Sequence, residues 1–90
     1  MSLPTVTVEF YGVPRLRAGR AELTVFAATV GDVLDTVTRT CPALANVRQP
    51  DGRLAPPYLL SLDGERFVTD MAQTLRPGDR LLLLSADAGG

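Results

Sequence analysis

The chain has 90 residues, with nine basic and ten acidic side chains and a formal net charge of −1. This length corresponds to one domain, and 46% hydrophobic with 21% charged residues is typical of a folded globular protein. The near-neutral charge argues against a nucleic-acid-binding protein, and no stretch approaches the ~20 apolar residues of a membrane span. The N-terminal sequence lacks the basic and apolar regions of a signal peptide, so we expect a cytoplasmic protein.

The inventory of reactive side chains excludes several kinds of site. The chain has no histidine and a single cysteine, and all nine of its basic residues are arginine. An internal disulfide, a CxxC redox pair and a cysteine-bound iron–sulfur cluster are therefore excluded, as are Ser-His-Asp and Cys-His catalysis. We expect no metal site, no bound cofactor and no catalytic residue, so the chain is not expected to be an enzyme.

Alternating hydrophobic residues predict two strands in the first third of the chain. Residues 5–11 alternate apolar and polar side chains, with Val6, Val8 and Phe10 on one face, and residues 21–26 alternate in the same way. The segment 12–19 contains proline, glycine and arginine and predicts a connecting loop. The two strands are therefore expected to pair as a hairpin.

A helix is predicted after the second strand. Thr29 is a suitable N-cap, and Asp32 three residues later lies near the positive end of the helix dipole. Apolar residues then recur at helical spacing, at Val30, Val33, Leu34, Val37 and Cys41. Pro42 ends the helix. Cys41 is interpreted as a small core residue rather than a reactive thiol, because buried free cysteines are common.

The second half of the chain predicts three more strands. Residues 42–57 are irregular and contain four prolines, with room for one helical turn at 43–47. Strand-like runs at 58–62 and 65–68 flank an Asp-Gly pair, which is a strong hairpin signal, and a Pro-Gly turn precedes the last strand at 80–86. The order β-β-α-β-β-β favours an α+β fold with a mixed sheet of four to five strands and one main helix on one face.

The chain closes on Gly89-Gly90, a few residues after the last predicted strand. Glycines carry no Cβ and can enter a narrow channel, whereas the alternative is a frayed end of small residues. The element order, the helix start at 29–34, the turn at 75–79, the apolar last strand and the final glycines are together similar to the ThiS/MoaD family of ubiquitin-like sulfur carriers. The resemblance covers nearly the whole chain. It implies one β-grasp domain, residues 1–90, with a flexible tail at 86–90.

The resemblance also implies a function. An E1-like adenylating enzyme would use MgATP to adenylate the Gly90 carboxylate, and a sulfur donor would then displace AMP and leave a thiocarboxylate. Gly90 is the expected site of adenylation, and Gly89, Ala88 and Asp87 form the expected tail. Many members of the family carry proline or an aliphatic residue where this chain has Asp87, so the acidic side chain bears on which partner accepts the tail.

The resemblance leaves the sulfur-accepting synthase open. Thiazole synthase and the large subunit of molybdopterin synthase are two such partners, and in the second case the chain would be the small subunit of molybdopterin synthase. The length and the insertion at 42–57 favour this longer branch over the thiamine carriers, although carriers of other pathways have comparable lengths. An alternative of another class is a non-catalytic β-grasp interaction module in which the terminal Gly-Gly is fortuitous.

Two surface features are candidates for partner contact. In a β-grasp sheet the first and last strands are neighbours, so Tyr11 is expected beside Leu82 and Leu84 on the outward face of the sheet. We favour a partner-docking patch of these three residues over an incidental apolar surface. The other feature is the group of arginines at positions 15, 17 and 20, interpreted either as a solvated loop or as a charge-matched contact to the partner.

Overall fold

The structure, a computed structural model, describes residues 3–86. Its elements follow the predicted order with one helix added between the first two strands. They are β1 (Thr5–Phe10), α1 (Val13–Ala18), β2 (Glu22–Phe26), α2 (Val30–Thr40), a 3-10 helix (Pro42–Val47), β3 (Tyr58–Leu62), β4 (Arg66–Phe67) and β5 (Arg80–Ser85). The 3-10 helix occupies the place where a single helical turn was predicted.

The five strands form one mixed sheet in the order β2-β1-β5-β3-β4. β1 and β5 pair in parallel, and every other neighbouring pair is antiparallel. A parallel pair cannot be closed by a tight turn, and here the chain leaves the edge strand β2, runs through α2 and returns in β3 on the other side of β1 and β5. The last strand is therefore the central strand of the sheet.

The core lies between the sheet and α2. The inward residues of β1 and β5 are almost completely buried, and so are four residues on one face of the helix, Val30, Val33, Leu34 and Val37. Burial of each such side chain contributes about 1.5–3 kcal/mol, which outweighs the helix-propensity deficit of about 0.7 kcal/mol for a threonine. Packing thus stabilises a helix that has threonine at positions 36, 38 and 40. No helix within residues 3–86 is long and apolar enough to cross a membrane.

The N-terminus of α2 supports a test of local stability. The Thr29 Oγ1 atom accepts a hydrogen bond from the Asp32 backbone N–H at 3.2 Å, as the sequence predicts. We expect Thr29→Ala to cost about 1 kcal/mol, which lowers the thermal unfolding midpoint by about 4–8 °C in a domain of this size. Thr40→Ala is the matched control, because Thr40 is exposed at the last residue of the same helix. Equal midpoints for the two variants would contradict the capping role.

The prediction of a loop at 12–19 is wrong, because residues 13–18 form the helix α1. Pro14 lies in its first turn, where the missing N–H costs no helical hydrogen bond. Gly19 ends it with φ 72° and ψ 19°, and its N–H donates to the Arg15 carbonyl at 3.0 Å. A proline just inside the start and a glycine just past the end are a recognised helix signature, so the signal was present in the sequence.

The irregular segment after α2 is held by one arginine. Arg48 donates from Nε to the Gly52 carbonyl at 2.7 Å and from Nη1 to the Gly31 carbonyl at 3.2 Å, and it forms an ion pair with Asp35. A Cβ at Gly31 would lie 3.2 Å from both the Arg48 guanidinium and the Met71 carbonyl oxygen. The segment therefore packs closely on the first turns of α2.

Both predicted turns are confirmed. Asp63 and Gly64 adopt positive φ angles of 55° and 73° between β3 and β4, as expected for an Asp-Gly hairpin. Gly78 has φ 88° in the turn before β5, and the Asp79 carboxylate accepts a hydrogen bond from the Arg76 N–H at 2.7 Å. The first turn joins β3 to β4, and the second leads into β5.

Candidate functional site

The predicted tail begins at the end of the central strand. Asp87, Ala88, Gly89 and Gly90 lie outside the described residues, so the structure gives no information on them. Ala86 is the last residue described, and its N–H donates to the Pro57 carbonyl at 2.8 Å. The chain is therefore hydrogen-bonded to the body of the domain up to Ala86, the first residue of the tail predicted at 86–90.

The predicted orientation of the leucine run in β5 is confirmed. Leu81 and Leu83 are completely buried, whereas Leu82 and Leu84 are half-buried on the face opposite α2. The Tyr11 N–H donates to the Leu83 carbonyl at 3.0 Å, which extends the parallel ladder by one residue, and Tyr11 is 45% exposed. The three residues predicted for partner docking thus lie at one end of one face, and their role in binding stays a prediction.

Two further apolar residues share this face and were missed from the sequence. Leu59 pairs with Leu84, and Phe67 pairs with Ser61, which in turn pairs with Leu82. Cross-strand partners lie on the same face of a sheet, so these apolar residues share the outward face from β1 to β4, with the buried Ser61 between Leu82 and Phe67. We refer to this group as the sheet patch, formed by Tyr11, Leu59, Phe67, Leu82 and Leu84.

A charged cluster borders the sheet patch on the side away from the tail. The Arg80 Nη2 atom lies 3.1 Å from Glu9 Oε1 and 3.3 Å from Glu22 Oε2. The hydrogen bond to Glu9, together with the charges of both carboxylates, raises the pKa of the Arg80 guanidinium. Exposed ion pairs of this kind contribute little to stability. These ion pairs keep the three charged side chains together at one end of the outward sheet face, so the end near Ala86 stays apolar.

A groove continues the sheet patch toward the tail. It has a volume of about 370 Å³ and lies between the proline-rich segment before β3 and the strand β4. Its apolar lining includes Leu54, Pro56, Pro57, Leu59, Phe67 and Ala86. Ala86, the last described residue, therefore lies on an apolar surface that is continuous with the sheet patch.

Several solved structures are similar to this chain over nearly its whole length. SAMP1 from Haloferax volcanii is 28% identical with a TM-score of 0.82, covering 96% of this chain and 99% of that chain. A chain of the Amycolatopsis orientalis BexX/CysO complex is 22% identical with a TM-score of 0.79, covering 94% and 99%. A putative molybdopterin converting factor subunit 1 from Pyrococcus furiosus is 18% identical with a TM-score of 0.73, covering 91% and 97%. No protein-family model and no curated protein sequence matches the chain.

The chain is similar to ubiquitin-like proteins of the ThiS/MoaD type, which is the resemblance that its sequence predicts. The predicted β-grasp architecture is confirmed, since a five-stranded mixed sheet packs on one main helix and superposes on these structures. One of the similar structures is a complex with a second protein, BexX.

In this chain, one arginine attaches α1 to the end of the sheet at which β5 ends. The Arg17 Nη1 atom donates to Tyr58 Oη at 2.6 Å and to Asn46 Oδ1 at 3.4 Å. Tyr58 is buried and pairs with Ser85 at the end of β5. The arginine group at 15, 17 and 20 is thus not a uniformly solvated loop, because Arg17 holds the helix beside the point where the tail begins.

The remaining candidates have structural roles. Cys41 is 4% exposed and belongs to the hydrophobic core, which confirms the interpretation as a small core residue. Within residues 3–86, no group of three or more histidine, cysteine, aspartate or glutamate side chains is arranged to hold a metal ion.

Proposed function

We propose that the chain is a sulfur carrier whose Gly90 carboxylate is adenylated by an E1-like enzyme and converted to a thiocarboxylate. The observation that carries the proposal is the position of the tail. It follows the central strand of a ubiquitin-like sheet and starts beside an exposed apolar patch. Such a patch is typical of a protein–protein contact. The proposal places the reaction in the cytoplasm, with MgATP bound by the partner.

The chemistry requires two steps. An oxygen of the Gly90 carboxylate attacks the α-phosphorus of ATP, and the bond to pyrophosphate breaks, which leaves a mixed anhydride with AMP. Hydrosulfide then attacks the carbonyl carbon of the anhydride. The carbon–oxygen bond to AMP breaks with its electron pair on AMP, and one proton is released. The product is a thiocarboxylate, and no oxidant or reductant is consumed.

The described part of the chain contributes binding and position. A carboxylate is a poor electrophile until it is activated, and holding it in the partner's active site turns the reaction into an effectively intramolecular one. The sheet patch supplies apolar area for docking next to the tail. Its border at Glu9, Arg80 and Glu22 is polar, which matches the arrangement of an apolar centre and a charged rim in protein interfaces.

An intact-mass experiment tests the proposal. The purified chain is incubated with an E1-like adenylating enzyme, MgATP and sodium sulfide, and its mass is measured. We expect a gain equal to the replacement of one oxygen by one sulfur, absent when either ATP or the enzyme is omitted. No gain with any of a panel of such enzymes would support the alternative of a non-catalytic interaction module.

A second candidate function is that of a protein modifier, favoured by the similarity to SAMP1, a small archaeal modifier protein. In that case an amine of a target protein attacks the same acyl adenylate, an amide bond forms and AMP leaves. The same experiment separates the two functions when sulfide is omitted and cell extract is added, because a modifier forms covalent adducts of higher mass. This chain has no lysine of its own to accept such a bond.

A third experiment identifies the enzyme that accepts the sulfur. The thiocarboxylated chain is mixed with purified thiazole synthase or with the large subunit of molybdopterin synthase, each with its substrate. The partner that returns the chain to its original mass is the sulfur acceptor. Consumption only by the molybdopterin synthase subunit would assign the chain as the small subunit of that enzyme.

A further inference from the structure

The most exposed large hydrophobic side chain among residues 3–86 is Leu16 on α1, at 82%. A side chain that is almost fully solvated gains almost no burial energy from folding, so the stability of the monomer does not account for a leucine at this position. α1 is nonetheless fixed in place. Pro14 is buried, Gly19 caps the helix, and Arg17 donates to Tyr58 Oη at 2.6 Å. Leu16 is therefore a solvent-exposed side chain on a helix that is held firmly against the domain.

Positive charge surrounds this leucine. Residues 12–20 contain three arginines and no acidic residue. Both Arg15 and Arg20 are exposed, and together with Leu16 they line an open surface depression of about 650 Å³. Neither has a carboxylate at ion-pair distance anywhere in residues 3–86, whereas Arg80 on the sheet face has two. We refer to Arg15, Leu16 and Arg20 as the α1 platform.

The α1 platform stands at the end of the sheet from which the tail leaves. Tyr58 holds α1 through Arg17, and it pairs with Ser85 one residue before Ala86. Gly90 follows Ala86 by four residues, which span at most about 14 Å when fully extended. An enzyme that acts on the Gly90 carboxylate must therefore bring its surface within that distance of the scaffold at Ala86, which lies at the end of the sheet to which Arg17 attaches α1.

We propose that the α1 platform is a second docking site for the enzyme that acts on Gly90. The site is distinct from the sheet patch, and the inference rests on the proposed function. The matching surface of the enzyme has an apolar pocket that takes Leu16 and carboxylates that pair with Arg15 and Arg20. An apolar leucine flanked by arginines matches the usual arrangement of protein interfaces, with an apolar centre and a polar rim. Charges at the rim act mainly on the association rate and on its salt dependence.

Adenylation kinetics test the inference. ATP–pyrophosphate exchange is measured with an E1-like adenylating enzyme at low and high sodium chloride, with the chain as the varied substrate. We expect Arg15→Glu/Arg20→Glu to raise KM about tenfold at low salt, with the effect shrinking as salt screens the charges. Leu16→Ala is expected to raise KM about fivefold at both salt concentrations. In both variants kcat stays unchanged, because Gly90 is intact.

Control variants separate docking from net charge and from folding. Arg39→Glu/Arg66→Glu changes the net charge by the same amount at exposed arginines outside α1 and should leave KM within about twofold of wild type. Arg15→Lys/Arg20→Lys keeps the charge and should restore most of the affinity. Thermal unfolding midpoints equal to wild type establish that all variants are folded.

Two outcomes of the exchange assay distinguish a failure of the proposed function from a failure of the α1 platform. A wild-type chain that supports no exchange with any adenylating enzyme overturns the proposed function, and this inference with it. A wild-type chain that supports exchange while the platform variants match the Arg39→Glu/Arg66→Glu control overturns the α1 platform alone.

Discussion

Removal of Gly89 and Gly90 is expected to abolish adenylation of the chain and to leave its thermal unfolding midpoint unchanged. Adenylation is lost because the shortened tail no longer carries a carboxylate at the distance from Ala86 that the partner's active site requires. Stability is expected to be retained because the hydrophobic core of residues 3–86 runs from Val6 to Leu83 and glycine has no side chain to pack. The two measurements are ATP–pyrophosphate exchange and thermal unfolding followed by circular dichroism.

Gly90→Ala is the informative companion to this deletion. It keeps the terminal carboxylate and the tail length but adds one Cβ at the last residue. The added Cβ restricts the backbone conformations of residue 90 and makes it wider, so it enters a narrow channel of the partner enzyme less easily. We expect a loss of about 10- to 100-fold in kcat/KM rather than complete inactivity, a range typical of a misplaced reacting group. Exchange at the wild-type rate after the deletion would contradict the assignment of Gly90 as the adenylation site.

Leu84→Glu is expected to weaken binding to the activating enzyme by about 100-fold, a typical loss for a residue at the centre of an interface. Leu84 is half-buried and lies between Tyr11 and Leu59 on the outward face. A carboxylate placed there must be desolvated on docking without a partner charge among its apolar neighbours. Isothermal titration of the adenylating enzyme with each variant measures the loss.

Phe26→Glu is the matched control for Leu84→Glu. Phe26 is an exposed apolar residue on the edge strand β2, remote from the tail, so the same change of charge should leave affinity within about twofold of wild type. The fold of both variants is checked by thermal unfolding, because neither residue belongs to the buried core. Equal binding by Leu84→Glu and wild type would remove the sheet patch from the docking surface.

The strand faces could be predicted because alternation is a local property of the sequence. Once Val8 and Phe10 are assigned to the core, the outward position of Tyr11 follows from the period of two, and Leu82 and Leu84 follow in the same way. The helix start was readable from Thr29, whose capping hydrogen bond spans only three residues. Each of these features is decided by residues close together in the chain.

The missed features depend on contacts between distant parts of the chain. Leu59 and Phe67 join the outward patch only through the pairing of β3 with β5 and β4, and no periodicity within β3 specifies which strands flank it. Arg48 was not singled out, because its acceptors at Gly31 and Gly52 become neighbours only when the irregular segment folds onto α2. α1 was missed for another reason, since six residues are too few to show a helical period.

The central position of β5 has a mechanical consequence. The strand is hydrogen-bonded to β1 on one side and to β3 on the other. A force on its C-terminal end therefore acts on the hydrogen bonds to both neighbours at once, whereas on an edge strand it would act on one set only. Under the proposed function, a partner that binds the C-terminal residues would therefore not lengthen the tail by unravelling β5. The distance that Gly90 can reach from the sheet would then be the same in every round of adenylation and sulfur transfer.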